Sequence, residues 1–150
     1  MNKIEKAVAS LEEIMSGSRV NMIEQMSRNE KGELFILKYL YDKDTDVIPS
    51  EISNVMHIST SRISAALGSL EKKGQVHREI DKSNRRNILV TITEEGRKRT
   101  VFEMKKIKEQ MVKVFTEIGE QNSLDFIRLL KLLFETVDKM YANNEFDIYS

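Results

Sequence analysis

Three groups of residues in this 150-residue chain have types and spacing suited to chemistry. The first is Asp81-Lys82-Ser83-Asn84-Arg85-Arg86, turn-forming at its centre and basic at its end. Paired guanidiniums beside an ammonium suit phosphate oxygens and base edges, because arginine keeps its charge and offers a planar fork of donors. The second is Ser59-Thr60-Ser61-Arg62, short hydroxyl donors followed by one arginine. The third is Asp42, Asp44 and Asp46 at alternating positions, which invites comparison with a calcium loop. The glycine and closing glutamate of such a loop are missing at their expected spacings, so this stretch reads as a solvated loop. His57 and His77 are the only histidines, one in a turn and one on a strand's polar face, and there is no cysteine. That leaves no thiolate site, no disulfide framework, no thiol switch and no basis for a dedicated zinc sensor. No Gly-rich phosphate loop and no G-x-S-x-G elbow occurs. The expectation is a non-enzyme with no catalytic residues, metal site or cofactor.

The elements that must position the first two groups read clearly. Ile63, Ala66, Leu67 and Leu70 recur at i, i+3, i+4 and i+7, giving a short amphipathic helix that Ser59 or Thr60 caps. Ser61, Arg62, Ala65, Gly68 and Ser69 are left facing out. That face is small and polar apart from its arginine, which suits a helix lying deep in a groove; a solvated surface helix is the alternative. Pro49 fits the first position of a preceding helix, Pro49 to Met56, and Met56-His57-Ile58 forms the tight turn between them. Gly74 closes the second helix after Lys72 and Lys73. Val76 and Ile80 then alternate with His77 and Glu79, and Ile88, Val90 and Ile92 alternate with Asn87 and Thr91, as two strands around the basic tip. A helix-turn-helix followed by a hairpin with a basic tip is the layout of a winged helix-turn-helix.

The flanks are helical. Residues 4–28 have Ile4, Val8, Leu11, Ile14, Met15, Met22, Ile23 and Met26 at helical spacing, interrupted at Ser16-Gly17-Ser18. A helix from about Glu30 to Tyr41 is apolar most of the way round, as a central core helix is. Thr93 caps a long helix to about Ile118, and Ser123 caps a last one to about Ala142. Leu124, Phe126, Ile127, Leu130, Leu133 and Val137 belong to an apolar surface that covers most of the last helix, more than one small winged domain can bury. The economical partner is the same helix of a second chain, with residues 4–15 joining in; a coiled-coil arm or another protein is the alternative. The fold class expected is mainly α with a small β-hairpin wing (α+β), as one domain over 1–150. Its winged helix-turn-helix lobe is expected over about 30–100, and residues 1–28 and 101–150 are expected to form a helical dimerisation lobe.

Composition agrees with a globular, helix-rich chain: 40% of residues are hydrophobic, 32% are charged and one is proline. No apolar run approaches the roughly 20 residues of a membrane span. The N-terminus has acidic residues inside its apolar pattern and no small-residue cleavage site, so it does not read as a signal peptide, and a cytoplasmic location is expected. Net charge is zero but uneven. Residues 1–56 hold seven basic and ten acidic side chains, residues 57–113 fourteen and seven, and residues 114–150 three and seven. A basic middle between acidic ends can present a local field to a polyanion, although a charge run can also be a solvated face.

Residues 47–97 together resemble the MarR family (multiple-antibiotic-resistance-type regulators) of winged-helix transcription factors. The matching features are Glu51-Ile52, the helix opening Ser59-Thr60-Ser61-Arg62-Ile63-Ser64, Leu70-Glu71-Lys72-Lys73-Gly74-Gln75-Val76, the tip Asp81 to Arg86, and Leu89-Val90-Thr91-Ile92-Thr93-Glu94-Glu95-Gly96. The chain departs from the family at His57, where a glycine is usual, and at Asn84, where aspartate is frequent. The resemblance implies a homodimeric regulator, most simply a repressor, on a near-palindromic double-stranded DNA site, with wings in the flanking minor grooves. Ser59, Thr60, Ser61, Arg62, Ala65 and Ser69 would form the major-groove face, Arg62 reading guanine. Arg86 would enter the minor groove, with Arg85 and Lys82 on phosphates and Ser50 adding a phosphate contact. It further implies release by a small aromatic effector in a pocket between the winged domain and the dimer helices. Met15, Met22, Met26, Phe35 and Tyr39 would line it, although methionines at helical spacing also read as plain core. The rival function is a winged-helix protein-interaction module without specific DNA binding.

Overall fold

A computed structural model describes residues 2–16 and 30–145, which divide into two compact units between Glu103 and Met104. The first unit contains helices α1 (Lys3–Ser16), α2 (Glu30–Lys43), α3 (Pro49–Met56) and α4 (Thr60–Lys72), strands β1 (Val76–Ile80) and β2 (Ile88–Ile92), and the start of α5 (Glu94–Ile118). The second contains the rest of α5 and α6 (Glu120–Ala142). The fold class is as expected: mostly helix, with one two-stranded antiparallel sheet among the described residues. Met22, Ile23 and Met26 lie outside the described residues.

The core of the first unit is built from the inward stripes of three helices. Ile36, Leu37 and Leu40 of α2, Ile52 of α3, and Ile63, Leu67 and Leu70 of α4 are buried together with Val47, Val76 and Val90. Each such side chain contributes about 1.5–3 kcal/mol by leaving water. The broad apolar surface expected of α2 is only partly used, since Phe35 is 63% exposed. Helix α1 begins with a reciprocal cap, Glu5 N–H to Asn2 Oδ1 (2.9 Å) and Asn2 N–H to Glu5 Oε2 (2.7 Å). Its Ile4, Val8, Leu11 and Ile14 are all exposed.

The hairpin pairs Val76 with Ile92 through to Ile80 with Ile88. Val47, in the loop before α3, joins its edge by two hydrogen bonds to Val90, at 3.0 and 2.8 Å. The junction with α5 is close. Thr93 Oγ1 donates to Gly74 O (2.6 Å) and accepts from Gly96 N–H (3.1 Å), the cap read from the sequence. Gly96 is required there: a Cβ at that position would stand 2.1 Å from Gln75 O.

In the second unit α5 and α6 are separated by Gly119 alone, at φ 92°. Ser123, expected as the cap of the last helix, is instead inside α6 and buried. Its hydroxyl donates to Phe115 O (2.9 Å) and Gly119 O (2.8 Å), tying the two helices rather than starting one. Phe115 and Phe126 meet edge to face, with centroids 6.2 Å apart. Leu124, Leu129, Leu132, Leu133 and Phe134 remain more than half exposed. No helix among the described residues is long and apolar enough to cross a membrane.

Candidate nucleic-acid interface

The turn between α3 and α4 is set by His57, which takes the left-handed conformation (φ 51°, ψ 41°) that glycine would adopt without strain. For a side-chain-bearing residue this costs about 1 kcal/mol. Local hydrogen bonds hold it: Ile58 N–H reaches Ser53 O at 3.2 Å, and Ser53 Oγ donates to Ile58 O at 2.5 Å. Ser59 is the N-cap of α4, its hydroxyl accepting from Arg62 N–H at 3.4 Å. The other end closes on Gly74 (φ 69°), with Gly74 N–H to Glu71 O and Gln75 N–H to Leu70 O, both 2.9 Å.

With Ile63, Leu67 and Leu70 inward, Ser59, Thr60, Ser61, Arg62 and Ala65 are exposed, and so is Ser50 in the first turn of α3. Ser69 departs from the expected outward face. It is half-buried and its hydroxyl donates to Glu33 Oε1 of α2 at 2.6 Å, so it is occupied within the protein. The physical reason is that α2 passes beside the last turns of α4 and supplies a buried carboxylate there.

The wing tip is shaped by its own polar groups. Asp81 Oδ1 accepts from Ser83 N–H (2.8 Å) and Ser83 Oγ (2.7 Å), which holds the Asp81 carboxyl below its ordinary range. Asn84 Oδ1 accepts from Arg86 N–H (3.3 Å), while Asn87 N–H closes the turn on Asn84 O (2.8 Å). Asn84 therefore serves the backbone of Arg86. Lys82, Arg85 and Arg86 are exposed. Ile80 and Ile88, expected on the packed face of the strands, pair at the outer end of the hairpin and are exposed, because the wing projects beyond the core there.

Several cations of the first unit pair with carboxylates. Lys38 pairs with Asp42, Lys43 with Glu51, Arg78 with Glu71 (2.9 Å), Arg97 with Asp44, and Lys73 and Arg99 with Glu33. Asp42 and Asp44 thus serve as ion-pair partners, and no group of metal-binding side chains occurs among the described residues. Among those residues no ion pair engages Arg62, Lys82, Arg85 or Arg86, whose charges are left to solvent on the α4 face and the wing.

Two clusters behind this face escape a reading by periodicity. Glu51 accepts from the Tyr39 hydroxyl and pairs with Lys43 at 3.3 Å; these contacts, Tyr39's first, hold its carboxyl below the ordinary range. Glu33 is buried and receives Ser69 (2.6 Å), Lys73 (2.8 Å) and Arg99 (3.1 Å). Burial pushes the Glu33 carboxyl up, and those hydrogen bonds more than offset it, leaving it below the ordinary range.

Of the residues expected to line an effector pocket, Phe35 and Tyr39 border an open cleft of about 1060 Å³ between α2, α3 and α4, together with Val55, Met56, Ile58 and Arg62. Met15 is exposed on α1, and Met22 and Met26 lie outside the described residues.

A helix-turn-helix followed by a two-stranded hairpin with a basic tip, on this three-helix core, defines a winged helix protein. A family model described as winged helix DNA-binding domain matches residues 33–111, more than half of the chain, and the chain belongs to that family. Its fold is shared with MarR (TM-score 0.63, 21% identity, 74% of this chain and 75% of that one). It is shared equally with the transcriptional regulator BldR from Sulfolobus solfataricus (TM-score 0.65, 21% identity, 91% and 100%). FabT of Streptococcus pneumoniae, solved in complex with DNA, also has it (TM-score 0.61, 19% identity, 92% and 99%). The MarR-type layout implied by the motifs is therefore the fold observed. No curated protein matches the chain in sequence.

Proposed function

We propose that this protein is a sequence-specific DNA-binding transcriptional regulator of the MarR type, a repressor that binds a near-palindromic operator as a homodimer. The observation that carries the reading is the placement of exposed cations on the recognition surface. Arg62 on α4 and Lys82, Arg85 and Arg86 on the wing are exposed and have no ion-pair partner among the described residues, whereas Lys73, Arg78 and Arg99 beside them pair with carboxylates. Unpaired cations on a protruding element cost little to bring to phosphates, because no internal ion pair must break first. In this reading α4 lies in the major groove, with Arg62 reading guanine and Ser59, Thr60, Ser61 and Ala65 beside it. Arg86 enters the minor groove, and Arg85, Lys82 and Ser50 contact phosphates. FabT, which has this fold, was solved with DNA.

The exposed apolar faces of α1 and α6 support dimerisation through residues 1–28 and 101–150, because such surface is covered when a second copy supplies the same helices. The cleft beside Phe35 and Tyr39 supports release by a small aromatic effector, since a ligand there would lie against Arg62.

The test is binding to duplex DNA at several salt concentrations. Specific binding should weaken steeply, with log affinity linear in log salt. A flat response, or no binding, overturns the reading and leaves the protein-interaction module.

A further inference from the structure

Glu33 is the one buried charged residue among the described residues, and two other elements converge on it. Ser69 and Lys73 reach it from the last turn and cap of α4, and Arg99 reaches it from α5. Arg99 also donates to Gln75 Oε1 at 2.6 Å, just beyond the helix end. Replacing a buried ion pair by apolar side chains of similar size is often neutral or stabilising. Burial alone therefore gives no reason for a carboxylate here; what it supplies is direction.

Directional contacts on α4 are few: apart from the Glu33 cluster, Glu71 accepts from Arg78 of β1 at 2.9 Å. Its packed residues Ile63, Leu67 and Leu70 are apolar, and apolar contact is non-directional. Arg62, Ala66, Ser69 and Lys73 follow at i, i+4, i+7 and i+11, one stripe along the helix. At the N-terminal end of that stripe Arg62 and Ala66 border the open cleft, with Gly32 and Phe35 of α2 also lining it. At the other end the stripe closes on Glu33. Side-chain bonds to α2 thus hold the far end of the helix, while its reading end stands beside open space. A turn of about 20° around the axis would move a guanidinium roughly 6 Å out by about 2 Å, enough to lose a hydrogen bond to a base.

We propose that Glu33 is a positioning residue for base reading: by binding Ser69, Lys73 and Arg99 together, it sets the rotation of α4 and so the aim of Arg62. This rests on the DNA-reading function proposed above.

The experiment uses the full chain as wild type, Glu33→Gln, Ser69→Ala and the double variant. Affinity is measured for a duplex selected by the wild type from a random library and for an unrelated duplex of equal length. Glu33→Gln should lower the ratio of the two affinities about tenfold, the discrimination carried by roughly one base pair. Affinity for the unrelated duplex and its salt slope should stay unchanged, because the surface cations remain. Ser69→Ala should lower the ratio about threefold, the low end for one lost hydrogen bond, because Lys73 and Arg99 still hold the carboxylate. The double variant should lose less than the product of the two single losses, since both substitutions weaken one cluster. An unchanged ratio in folded Glu33→Gln overturns the proposal. So does a double variant in which the losses multiply, which would assign Ser69 a contact with DNA of its own. If Glu33→Gln does not fold, an unchanged ratio in Ser69→Ala overturns it and the threefold loss supports it. A wild-type chain that selects no sequence overturns the DNA reading itself, and this proposal with it.

Discussion

Truncating Arg85 isolates the electrostatic part of the proposed interface. The wing turn is closed by Asp81 with Ser83, by Asn84 Oδ1 with Arg86 N–H, and by Asn87 N–H with Asn84 O, and none of these bonds uses the Arg85 side chain. Arg85→Ala should therefore change stability by no more than about 0.5 kcal/mol, as exposed substitutions generally do. In a dimer it removes one phosphate contact from each of two wings, so the slope of log affinity against log salt should shrink by about 1.8. If the two proteins bind alike near 1 M salt, the loss at 0.15 M is about 30-fold. Fluorescence anisotropy with a labelled duplex, between about 0.05 and about 0.5 M salt, reads both quantities. Arg86→Ala should show a loss of similar size and, in addition, a weakened preference for A·T-rich flanks, whose narrow minor groove attracts arginine. An unchanged slope in Arg85→Ala would refute the wing assignment. Loss of folding or of the dimer in either variant would show that these side chains serve the interior.

Gly96→Ala should destabilise the first unit by about 1–3 kcal/mol in urea unfolding, because its methyl group must displace Gln75 or Ile92; an unchanged midpoint would mean that this junction yields freely. Glu33 has a lowered carboxyl pKa in the folded state, so it adds stability at higher pH that is lost as pH falls below its ordinary value of 4.5 and through the folded value. Glu33→Gln should accordingly show a weaker loss of stability with acid than wild type, and equal acid profiles would contradict the lowered value. If α6 forms the proposed dimer interface, Leu133→Asp and Leu130→Asp should dissociate it by burying an unpaired charge there. An unchanged sedimentation mass in both would count against α6 as that interface.

Much of this fold was legible because its local signals agree with one another. Pro49, Ser59, Gly74 and Thr93 each mark a helix end or wing exit by side-chain chemistry that acts within a few residues, and all four sit where the sequence places them. His57 stands where glycine is usual in the family, and it takes the left-handed angle that glycine adopts without strain. What escaped was long-range. The spacing of Ser69 puts it at a definite angle around α4, yet only the passage of α2 turns that angle inward, and Glu33 lies 36 residues away. The lysine and arginine that complete the Glu33 cluster lie 40 and 66 residues from it, and nothing in a charge pattern pairs them. Ser123 follows a break and so resembles a cap, but the single glycine at 119 suffices for the turn and frees the serine for a tie between helices. Ile80 and Ile88 show the limit of alternation: it orders the two faces of a strand without saying how far the core extends beneath them.

Two copies of this chain that read DNA through α4 and the wing should select their own site from a random duplex library. The selected sequences should contain an inverted repeat whose half-sites are centred about 10 base pairs apart, one helical turn, with A·T-rich flanks where the wings fall. A library returned without enrichment, or one enriched for a single unrepeated site, would contradict this mode of reading.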